Sequence, residues 1–292
     1  MKIRAAAKVN LGLDVTGRLP DGYHLIESVF QSVGLYDQIR AELTEGGISL
    51  ECIVPEEFAE ADPIPCDQRN IAYKAAELFF SETGIKKGCK LTVTKGIPSQ
   101  AGMGGGSADA AGVLFCLNEL CGRPLSHEEL CKMGKKLGAD VPFCLTGGTA
   151  YVGGIGEEIQ SLPEYSGRLL VIGKGREGVS TGQAYSNIDA LVSPVHPEVA
   201  KLRQALETDP DSAPQYFGNL FEQAVCLEEV DSLKSAMLNK GAVRAMMTGS
   251  GSAVFGLFES RDEAEICCEK LKKWGYFSAV CETVGKAFCI DE

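Results

Sequence analysis

A glycine-rich loop between a predicted strand and a predicted helix constrains this chain more than any other segment. Residues 89–94, before the loop, alternate between apolar and polar side chains, which is the period of a half-buried strand. After the loop, apolar residues recur at helical spacing over 110–121, with Ser107 as the predicted N-cap and Gly122 as the predicted stop. The segment therefore predicts a strand, a tight loop and a helix in succession.

The loop has the composition of a phosphate cradle. Four of the five residues from Gly102 to Gly106 are glycine, so the backbone can turn tightly with its N–H groups facing inward. A helix that begins directly after such a loop adds unpaired N–H donors and a partial positive charge. The alternative is a glycine-rich turn that only changes the chain direction, and glycine density alone leaves it open.

The spacing of the loop disfavours two common nucleotide-binding motifs. No Gly-Lys-Ser/Thr closes it, so it is not a Walker loop. When G-x-G-x-x-G is counted from Gly102 or Gly104, its third glycine position falls on Ser107 or Asp109. A nicotinamide-dependent oxidoreductase is therefore a weak alternative.

Charge and cysteine usage narrow the class of partner. The 292-residue chain has a net charge of −12 and no basic run, so nucleic acid and anionic membranes are not expected partners. Its 12 cysteines contain no C-x-x-C spacing, which predicts buried free thiols rather than disulfides or zinc ligands. Charged or polar residues interrupt positions 1–16, and no apolar run is long enough to span a bilayer. We expect a cytoplasmic protein without a signal peptide.

The element pattern predicts two α+β domains, since helices beside a mostly antiparallel sheet are typical of that class. The polar passage over 160–167 is the predicted boundary between domain 1–160 and domain 161–292. Strands are expected near 3–16, which would bury one face, and near 242–247, 253–258 and 276–284. Helices are expected near 70–80, 126–138, 197–208, 220–227, 232–239 and 260–271.

Two residues are candidates for the chemistry of phosphoryl transfer, which needs a cation near the phosphates and a base for the attacking hydroxyl. Lys8 lies on one strand face with Asn10, about 7 Å away, and Asn10 can orient a polar substrate. A solvated strand face is the alternative. Asp140 follows a helix stop among apolar neighbours, where desolvation would fit its carboxylate to accept a hydroxyl proton. It can equally cap a short helix that contains Pro142.

Two further segments are candidates for ligand contacts. The loop 248–252 is either a second anion nest or a hairpin turn. Tyr23 and His24 together would suit a planar base, although exposed turn residues need no functional explanation. His127 lies inside a predicted capping box and His196 precedes a proline, so neither is expected to be catalytic.

Taken together, these segments resemble the motifs of the GHMP kinase superfamily, which includes galactokinase and the homoserine, mevalonate and phosphomevalonate kinases. Residues 98–111 resemble its phosphate-binding motif, 7–11 its first motif and 248–255 its third. Residues 7–11, 21–24 and 137–143 resemble one branch most closely. That branch uses ATP to phosphorylate a cytidyl-diphosphate sugar alcohol on the non-mevalonate isoprenoid route. The resemblance implies a ribosomal-S5-like amino-terminal domain, a ferredoxin-like α+β carboxy-terminal domain and an active site in the cleft between them.

The resemblance also implies roles for individual residues. Asp140 would be the base, and Lys8 the lysine that polarises the substrate hydroxyl. His24 would bond the edge of a cytosine held between the rings of Tyr23 and Tyr185. Further substrate contacts would come from Asn10, Thr248, Gly249, Ser250 and Gly251.

ATP and Mg²⁺ are the implied co-substrate and cofactor. The implied ATP contacts are Pro98, Ser99, Gln100, Ala101, Gly102, Met103, Gly104, Gly105, Gly106, Ser107 and Ala108. Ser107 would also lie near the Mg²⁺. Ala108 stands where the superfamily often has a second serine, and residues 174–177 replace a more usual Lys-Pro stretch before the loop expected to carry Tyr185.

Alternatives remain at this point. A relative acting on mevalonate, homoserine or a sugar would share the fold, but the Tyr23-His24 pair and Tyr185 argue against it. A non-catalytic nucleotide-binding protein would not need both Lys8 and Asp140. The expected assembly is a monomer or a homodimer.

Overall fold

Two β-sheets carry the helices of this chain, in a computed structural model that describes residues 1–55 and 64–291. The strands are β1 (Lys2–Arg18), β2 (His24–Thr44), β3 (Ile48–Ile53), β4 (Gly88–Thr94), β5 (Thr149–Gly153), β6 (Glu158–Ser161), β7 (Leu169–Lys174), β8 (Gly218–Asn219), β9 (Arg244–Met247), β10 (Val254–Phe258), β11 (Phe277–Glu282) and β12 (Phe288–Ile290). The helices are α1 (Ile71–Thr83), α2 (Gly105–Leu120), α3 (His127–Lys135), α4 (Val141–Thr146), α5 (Thr181–Asp189), α6 (Val199–Thr208), α7 (Glu228–Leu238) and α8 (Arg261–Lys273).

The first sheet is built on the long antiparallel pair β1–β2, extended through β4 to β3 and through β5 to β6. The predicted strand near 3–16 is confirmed, but the prediction that it buries one face is wrong. Lys8, Asn10 and Asp14 on the other face are also buried. Elements from the second half of the chain cover the middle of that face, so these three polar side chains are buried, whereas Lys2 and Thr16 near the strand ends are exposed.

The second sheet has the antiparallel order β11-β7-β10-β9, with α7 and α8 packed on it. Two strands from the same half of the chain return to the first sheet. β8 pairs in parallel with β1 at Gly12 and Leu13, and β12 pairs antiparallel with β1. Residues after 161 therefore contribute two strands to the first sheet. The boundary at 160/161 stays a prediction.

Helix caps test the predictions of helix ends. The predicted capping box is present at Ser126, whose hydroxyl and backbone N–H both contact Glu129, and Ser260 caps α8. The prediction of Ser107 as N-cap of α2 is wrong. Gly104 occupies that position in the left-handed conformation, at φ 72°, so Ser107 lies in the first turn. Residues 220–223 form a 3₁₀ helix and not the α-helix expected over 220–227.

All 12 cysteines are free thiols, as predicted, but Cys66 and Cys226 are exposed and so depart from the expected burial. Across the described ranges, the helices are too short or too polar to cross a lipid bilayer.

Candidate active site

A cleft of about 650 Å³ lies between the β1–β2 pair, the glycine loop, α5 and the loop 248–252. Both candidate catalytic residues and eight other candidate residues from the sequence line this one cavity: Lys8, Asn10, Tyr23, His24, Gly102, Gly104, Asp140, Tyr185, Gly249 and Ser250. A larger open groove of about 910 Å³ shares no lining residue with it and contains neither Lys8 nor Asp140. Because Lys8 and Asp140 both line the smaller cavity, that cavity is the candidate active site.

Lys8 and Asp140 meet in this cleft. Lys8 Nζ lies 3.6 Å from Asp140 Oδ2 and 4.5 Å from the centre of the Phe30 ring. The Lys8 side chain is 5% exposed, whereas that of Asp140 is 31% exposed, so the carboxylate is only partly desolvated. Asp140 occupies the N-cap position of α4, but its side chain makes no capping hydrogen bond. Its carboxylate is turned to the lysine instead, which disfavours the capping role.

The Asn10 carboxamide ties Lys8 to the loop 248–252. Its oxygen accepts a hydrogen bond from Lys8 Nζ at 2.8 Å. The same oxygen accepts from Thr248 Oγ1 at 3.2 Å and from the Gly249 N–H at 3.0 Å. Its amide nitrogen donates to Ser28 Oγ at 2.9 Å. The oxygen is therefore occupied, and one amide hydrogen has no partner among the described residues.

The glycine loop and the loop 248–252 pack backbone against backbone. A Cβ on Gly102 would lie 2.2 Å from the Thr248 carbonyl oxygen, and Gly102 has a φ of +71°, so only glycine fits there. The loop 248–252 connects the antiparallel neighbours β9 and β10, so of the two predicted alternatives it has hairpin geometry. Asn10 and this glycine contact together fix the hairpin against the cleft.

The start of α2, directly after the glycine loop, carries unpaired backbone donors. Among the described residues, the N–H groups of Gly105, Gly106 and Ser107 make no hydrogen bond. A Cβ on Gly104 would lie 3.2 Å from Lys8 Cγ and 3.8 Å from Asp140 Oδ2, so the missing side chain leaves room beside both. The Ala108 N–H bonds Gly104 O at 2.8 Å and its methyl is buried, which leaves no free donor there.

A second cavity of about 320 Å³ lies along the glycine loop and shares Gly102 and Gly104 with the cleft. The other loop residues that line it are Pro98, Ser99, Gln100, Ala101, Met103, Gly105 and Gly106. Lys95 and Asp109 also line it. The two cavities therefore meet at the glycines beside Lys8 and Asp140.

Lys95 belongs to a buried charge cluster that sequence reasoning missed. Its ammonium contacts Asp37 and lies 2.6 Å from Asp109 Oδ2. Asp37 Oδ1 also accepts the N–H groups of Gly96 and Ile97 at 2.7 and 2.9 Å. Burial, and then the neighbouring Asp37 carboxylate, raises the pKa of Asp109 well above its usual value. Asp109 Oδ1 has no partner among the described residues.

The far end of the cleft is aromatic. His24 stacks on Tyr185 with ring centres 4.6 Å apart and an interplanar angle of 22°, and Tyr185 contacts Phe221 edge-on. Burial, and then the charge of Asp140, raises the pKa of Tyr185 to about 12. Tyr23 is 62% exposed at the rim. Tyr185 lies on α5, so the expectation that a loop carries it is wrong.

Sequence reasoning also missed the groups behind His24. Asp189, the last residue of α5, lies 2.8 Å from His24 Nε2 and 3.0 Å from an Arg18 guanidinium nitrogen. Register could have found Arg18, which lies opposite His24 in the β1–β2 pair. No comparable signal marks Asp189, because its contact spans 165 positions of the chain.

No group of three or more His, Cys, Asp or Glu side chains within the described ranges could hold a metal ion. The Ser107 hydroxyl makes no hydrogen bond to a described residue and lies beside the unpaired N–H groups of α2. It is thus a single hydroxyl oxygen without a hydrogen-bond partner among the described residues, next to those N–H groups.

Two family descriptions match the chain. "GHMP kinases N terminal domain" matches residues 70–148, and "GHMP kinases C terminal" matches residues 202–276. The first match contains the glycine loop and Asp140.

The chain is also similar to individual curated proteins and solved structures. A protein of Clostridium botulinum (strain Kyoto / Type A2) named 4-diphosphocytidyl-2-C-methyl-D-erythritol kinase is 40% identical over 276 residues, covering 94% of this chain and 96% of its own. A Clostridium kluyveri protein of the same name is 38% identical over 275 residues, with 93% and 96% coverage.

A crystal structure of 4-(cytidine 5'-diphospho)-2C-methyl-D-erythritol kinase matches with TM-score 0.82 and 31% identity, covering 98% of this chain and 100% of that one. A homoserine kinase from Cytophaga hutchinsonii matches with TM-score 0.77 and 21% identity, covering 99% and 96%, which shows the shared fold alone.

Proposed function

This chain belongs to the GHMP kinase family, within the branch of the 4-diphosphocytidyl-2-C-methyl-D-erythritol kinases, and we propose its function and the roles of its residues on that premise. It is an ATP-dependent small-molecule kinase with the two-domain α+β fold of that family. It phosphorylates the 2-hydroxyl of 4-diphosphocytidyl-2-C-methyl-D-erythritol, giving the 2-phosphate and ADP, in the non-mevalonate route to isoprenoid precursors.

One observation carries the residue roles: the Lys8–Asp140 pair lies beside Gly104 of the phosphate loop, in the same cavity as the His24–Tyr185 stack. A cytidyl-diphosphate sugar alcohol is long, with a planar base at one end and the reacting hydroxyl at the other. The cleft has an aromatic end and an ionic end, which suits such a molecule. The donor nucleotide would occupy the 320 Å³ cavity across the glycine loop.

The unpaired N–H groups at the start of α2 would hold the ATP phosphates, because they are preorganised donors at the positive end of a helix. The remaining loop residues from Pro98 to Ser107 would shape this cradle. Its contribution is binding and orientation, which is most of what phosphoryl transfer asks of a protein.

Asp140 would accept the proton of the attacking hydroxyl, since its carboxylate is free of capping bonds and partly exposed to the cleft. Lys8 would hold that carboxylate in place and lie close to the charge that develops on the transferred phosphoryl group. Asn10 fixes the lysine through its amide oxygen, and its remaining amide hydrogen is available to the substrate.

At the aromatic end, His24 would bond the edge of the cytosine, with Tyr23 and Tyr185 against its faces. Thr248, Gly249, Ser250 and Gly251 would close the substrate side of the cleft. In the structure the His24 ring lies on one face of Tyr185, so a base stacked on that face would have to displace it.

Mg²⁺ is the cofactor that we propose to accompany ATP, supplying charge neutralisation of the phosphates. Mg²⁺ usually keeps several waters and substrate phosphates and needs few protein ligands, so one free hydroxyl beside the proposed phosphate cradle would be sufficient on the protein side. Ser107 is the residue that would contact it. We also propose a cytoplasmic location, to which twelve free thiols are suited, and a monomer or homodimer as the assembly.

An ADP-release assay with a panel of acceptors tests the proposed substrate. We expect release with the cytidyl-diphosphate methylerythritol substrate and only background release with mevalonate, homoserine, galactose or no acceptor. Faster release with one of the other acceptors would assign the chain to a different reaction of the same superfamily.

A further inference from the structure

The carboxylate of Asp189 has no role in the function proposed above, yet it lies at the aromatic end of the cleft. Its two oxygens contact different strands of one hairpin: Oδ1 is 2.8 Å from His24 Nε2 and Oδ2 is 3.0 Å from the Arg18 guanidinium. Arg18 and His24 face each other across the β1–β2 register. All three residues line the cleft.

The contact determines which nitrogen of His24 carries a proton. The hydrogen bond from His24 is the main cause that lowers the pKa of Asp189, and the positive charge of Arg18 adds to it, so the Asp189 carboxylate is ionised. An ionised carboxylate only accepts hydrogen bonds, so His24 Nε2 must be the donor. In a neutral imidazole the lone pair then lies on Nδ1. Stacking on Tyr185 further restricts the ring.

We propose that Asp189 is a positioning residue that holds His24 in its Nε2–H tautomer, so that Nδ1 accepts a hydrogen bond from the 4-amino group of cytosine. This proposal rests on the cytidyl substrate proposed above. Nδ1 has no hydrogen-bond partner among the described residues, so it is the ring atom available to a ligand.

The consequence is selection of cytosine over uracil. Cytosine carries an amino donor at position 4, whereas uracil carries a carbonyl oxygen there. The uracil carbonyl oxygen would face the lone pair on His24 Nδ1 with no hydrogen between the two atoms, so they would repel each other instead of forming a hydrogen bond. A site built to accept a hydrogen bond rejects an analogue that cannot donate one, because a buried polar group is then left unpaired.

The tautomer can be read without any substrate. The chain has three histidines, so its imidazole ¹⁵N spectrum is sparse, and a His24→Gln variant assigns the His24 signals. At pH 8.5 an unperturbed imidazole is neutral. We expect His24 to be protonated on Nε2 in the wild type and to gain Nδ1–H population in Asp189→Asn. Nδ1–H in the wild type, a doubly protonated ring, or an unchanged ratio in Asp189→Asn would overturn the proposal.

Arg18→Gln is the matched control for the spectrum. It breaks the other ion pair of Asp189 but leaves the carboxylate on His24, so the Nε2–H tautomer should persist. A tautomer change of the same size in Arg18→Gln would mean that loosening of the hairpin, not the carboxylate, is responsible, and would overturn the proposed role.

Kinetics test the consequence for specificity. We expect Asp189→Asn to raise KM for the cytidyl substrate about tenfold and to reduce the preference over the uridyl analogue similarly, with kcat changed less than about twofold. Asp189→Glu, which keeps an acceptor-only group, should recover part of the preference. A lower KM in Asp189→Asn would show that Asp189 holds His24 closed against the base, contrary to the proposal. If the wild type uses no cytidyl substrate, the proposed function fails while the spectrum still reports on the tautomer.

Discussion

Lys8 and Lys95 are both buried and both contact carboxylates, but the two sites differ in how they are closed. Lys8 lies 3.6 Å from a single carboxylate that is 31% exposed and faces the cleft. Lys95 contacts two carboxylates, and the more buried of them is 0% exposed and also accepts two backbone N–H groups. The first pair keeps a face open to a ligand, whereas the second joins β2, β4 and α2.

This difference indicates that the Lys8 site is suited to catalysis and the Lys95 cluster to structural support. A base must exchange a proton with its substrate, so an open carboxylate beside a lysine suits catalysis. A closed cluster holds its charges in fixed positions, and removal of one partner leaves an uncompensated buried charge. The glycine loop lies between the two sites, and both lysines line the cavities that it joins.

The largest effect is expected from Asp140→Asn. Loss of the base should lower kcat by about 10²- to 10⁴-fold and leave ATP affinity nearly unchanged, because the N–H groups at α2 are untouched. Steady-state kinetics and nucleotide titration measure both quantities. A kcat close to the wild-type value would remove Asp140 from the mechanism and end the contrast between the two sites.

The lysines themselves give a matched pair for stability. Lys95→Met leaves Asp37 and Asp109 facing each other without a cation, and should lower the free energy of unfolding by about 3–5 kcal/mol. Lys8→Met should cost less than about 1 kcal/mol, since its partner carboxylate can be solvated, but should abolish turnover. Urea unfolding compares the two variants. Equal losses of stability would contradict the division into an open and a closed site.

His24→Ala should have a smaller and more selective effect. Without the imidazole, KM for the cytidyl substrate should rise about tenfold, corresponding to about 1.4 kcal/mol, while KM for ATP changes little. Substrate-dependence curves for each substrate measure the split. If preference for the cytidyl group survives the change, base recognition lies elsewhere in the cleft.

The smallest effect concerns the pH dependence of the closed cluster. Burial, then Asp37, raises the pKa of Asp109 in the folded state, so the native protein binds this proton more tightly than the unfolded chain. The stability that this proton contributes is fully present below the pKa of about 3.9 that an aspartate has in the unfolded chain. It is lost as the pH rises through the higher pKa of Asp109 in the folded state.

Asp109→Asn removes this dependence, so we expect a flatter stability profile and a higher free energy of unfolding at pH 7 than in the wild type. Urea unfolding between pH 4 and pH 8 measures it, with the exposed Asp211→Asn as control. A steeper profile in Asp109→Asn would mean that the native carboxyl is ionised throughout and contradict the assigned direction.

The open site could be predicted from sequence better than the closed one. Lys8 and Asp140 lie in short segments that resemble known motifs, and the glycine-rich segment 102–106 indicates the phosphate loop. The distance between them could not be read from the sequence, because β1 and α4 are far apart in the chain and meet only in the fold, where both pack on α2 and contact each other. Burial of the polar face of β1 also escaped prediction, since its cover comes from the far half of the chain.

The closed cluster and Asp189 gave no local signal. Asp37, Lys95 and Asp109 are isolated charges on a strand, after a strand and in a helix, and nothing in their spacing tells a buried position from a surface one. The N-cap prediction for α2 failed for a similar reason. Sequence preferences for helix starts favour a serine side chain, whereas the N-cap position is occupied by Gly104, which packs closely beside Lys8 in a left-handed conformation.

The most direct test of the central claim is ³¹P NMR of a reaction with wild-type protein, ATP, Mg²⁺ and the cytidyl-diphosphate methylerythritol substrate. Transfer at the Lys8–Asp140 pair predicts one new phosphomonoester signal for each ADP formed, while the diphosphate of the acceptor stays intact. With Asp140→Asn, neither the phosphomonoester signal nor the ADP signals should appear over the same reaction time. ADP accompanied only by inorganic phosphate, or a phosphomonoester formed equally well by Asp140→Asn, would contradict it.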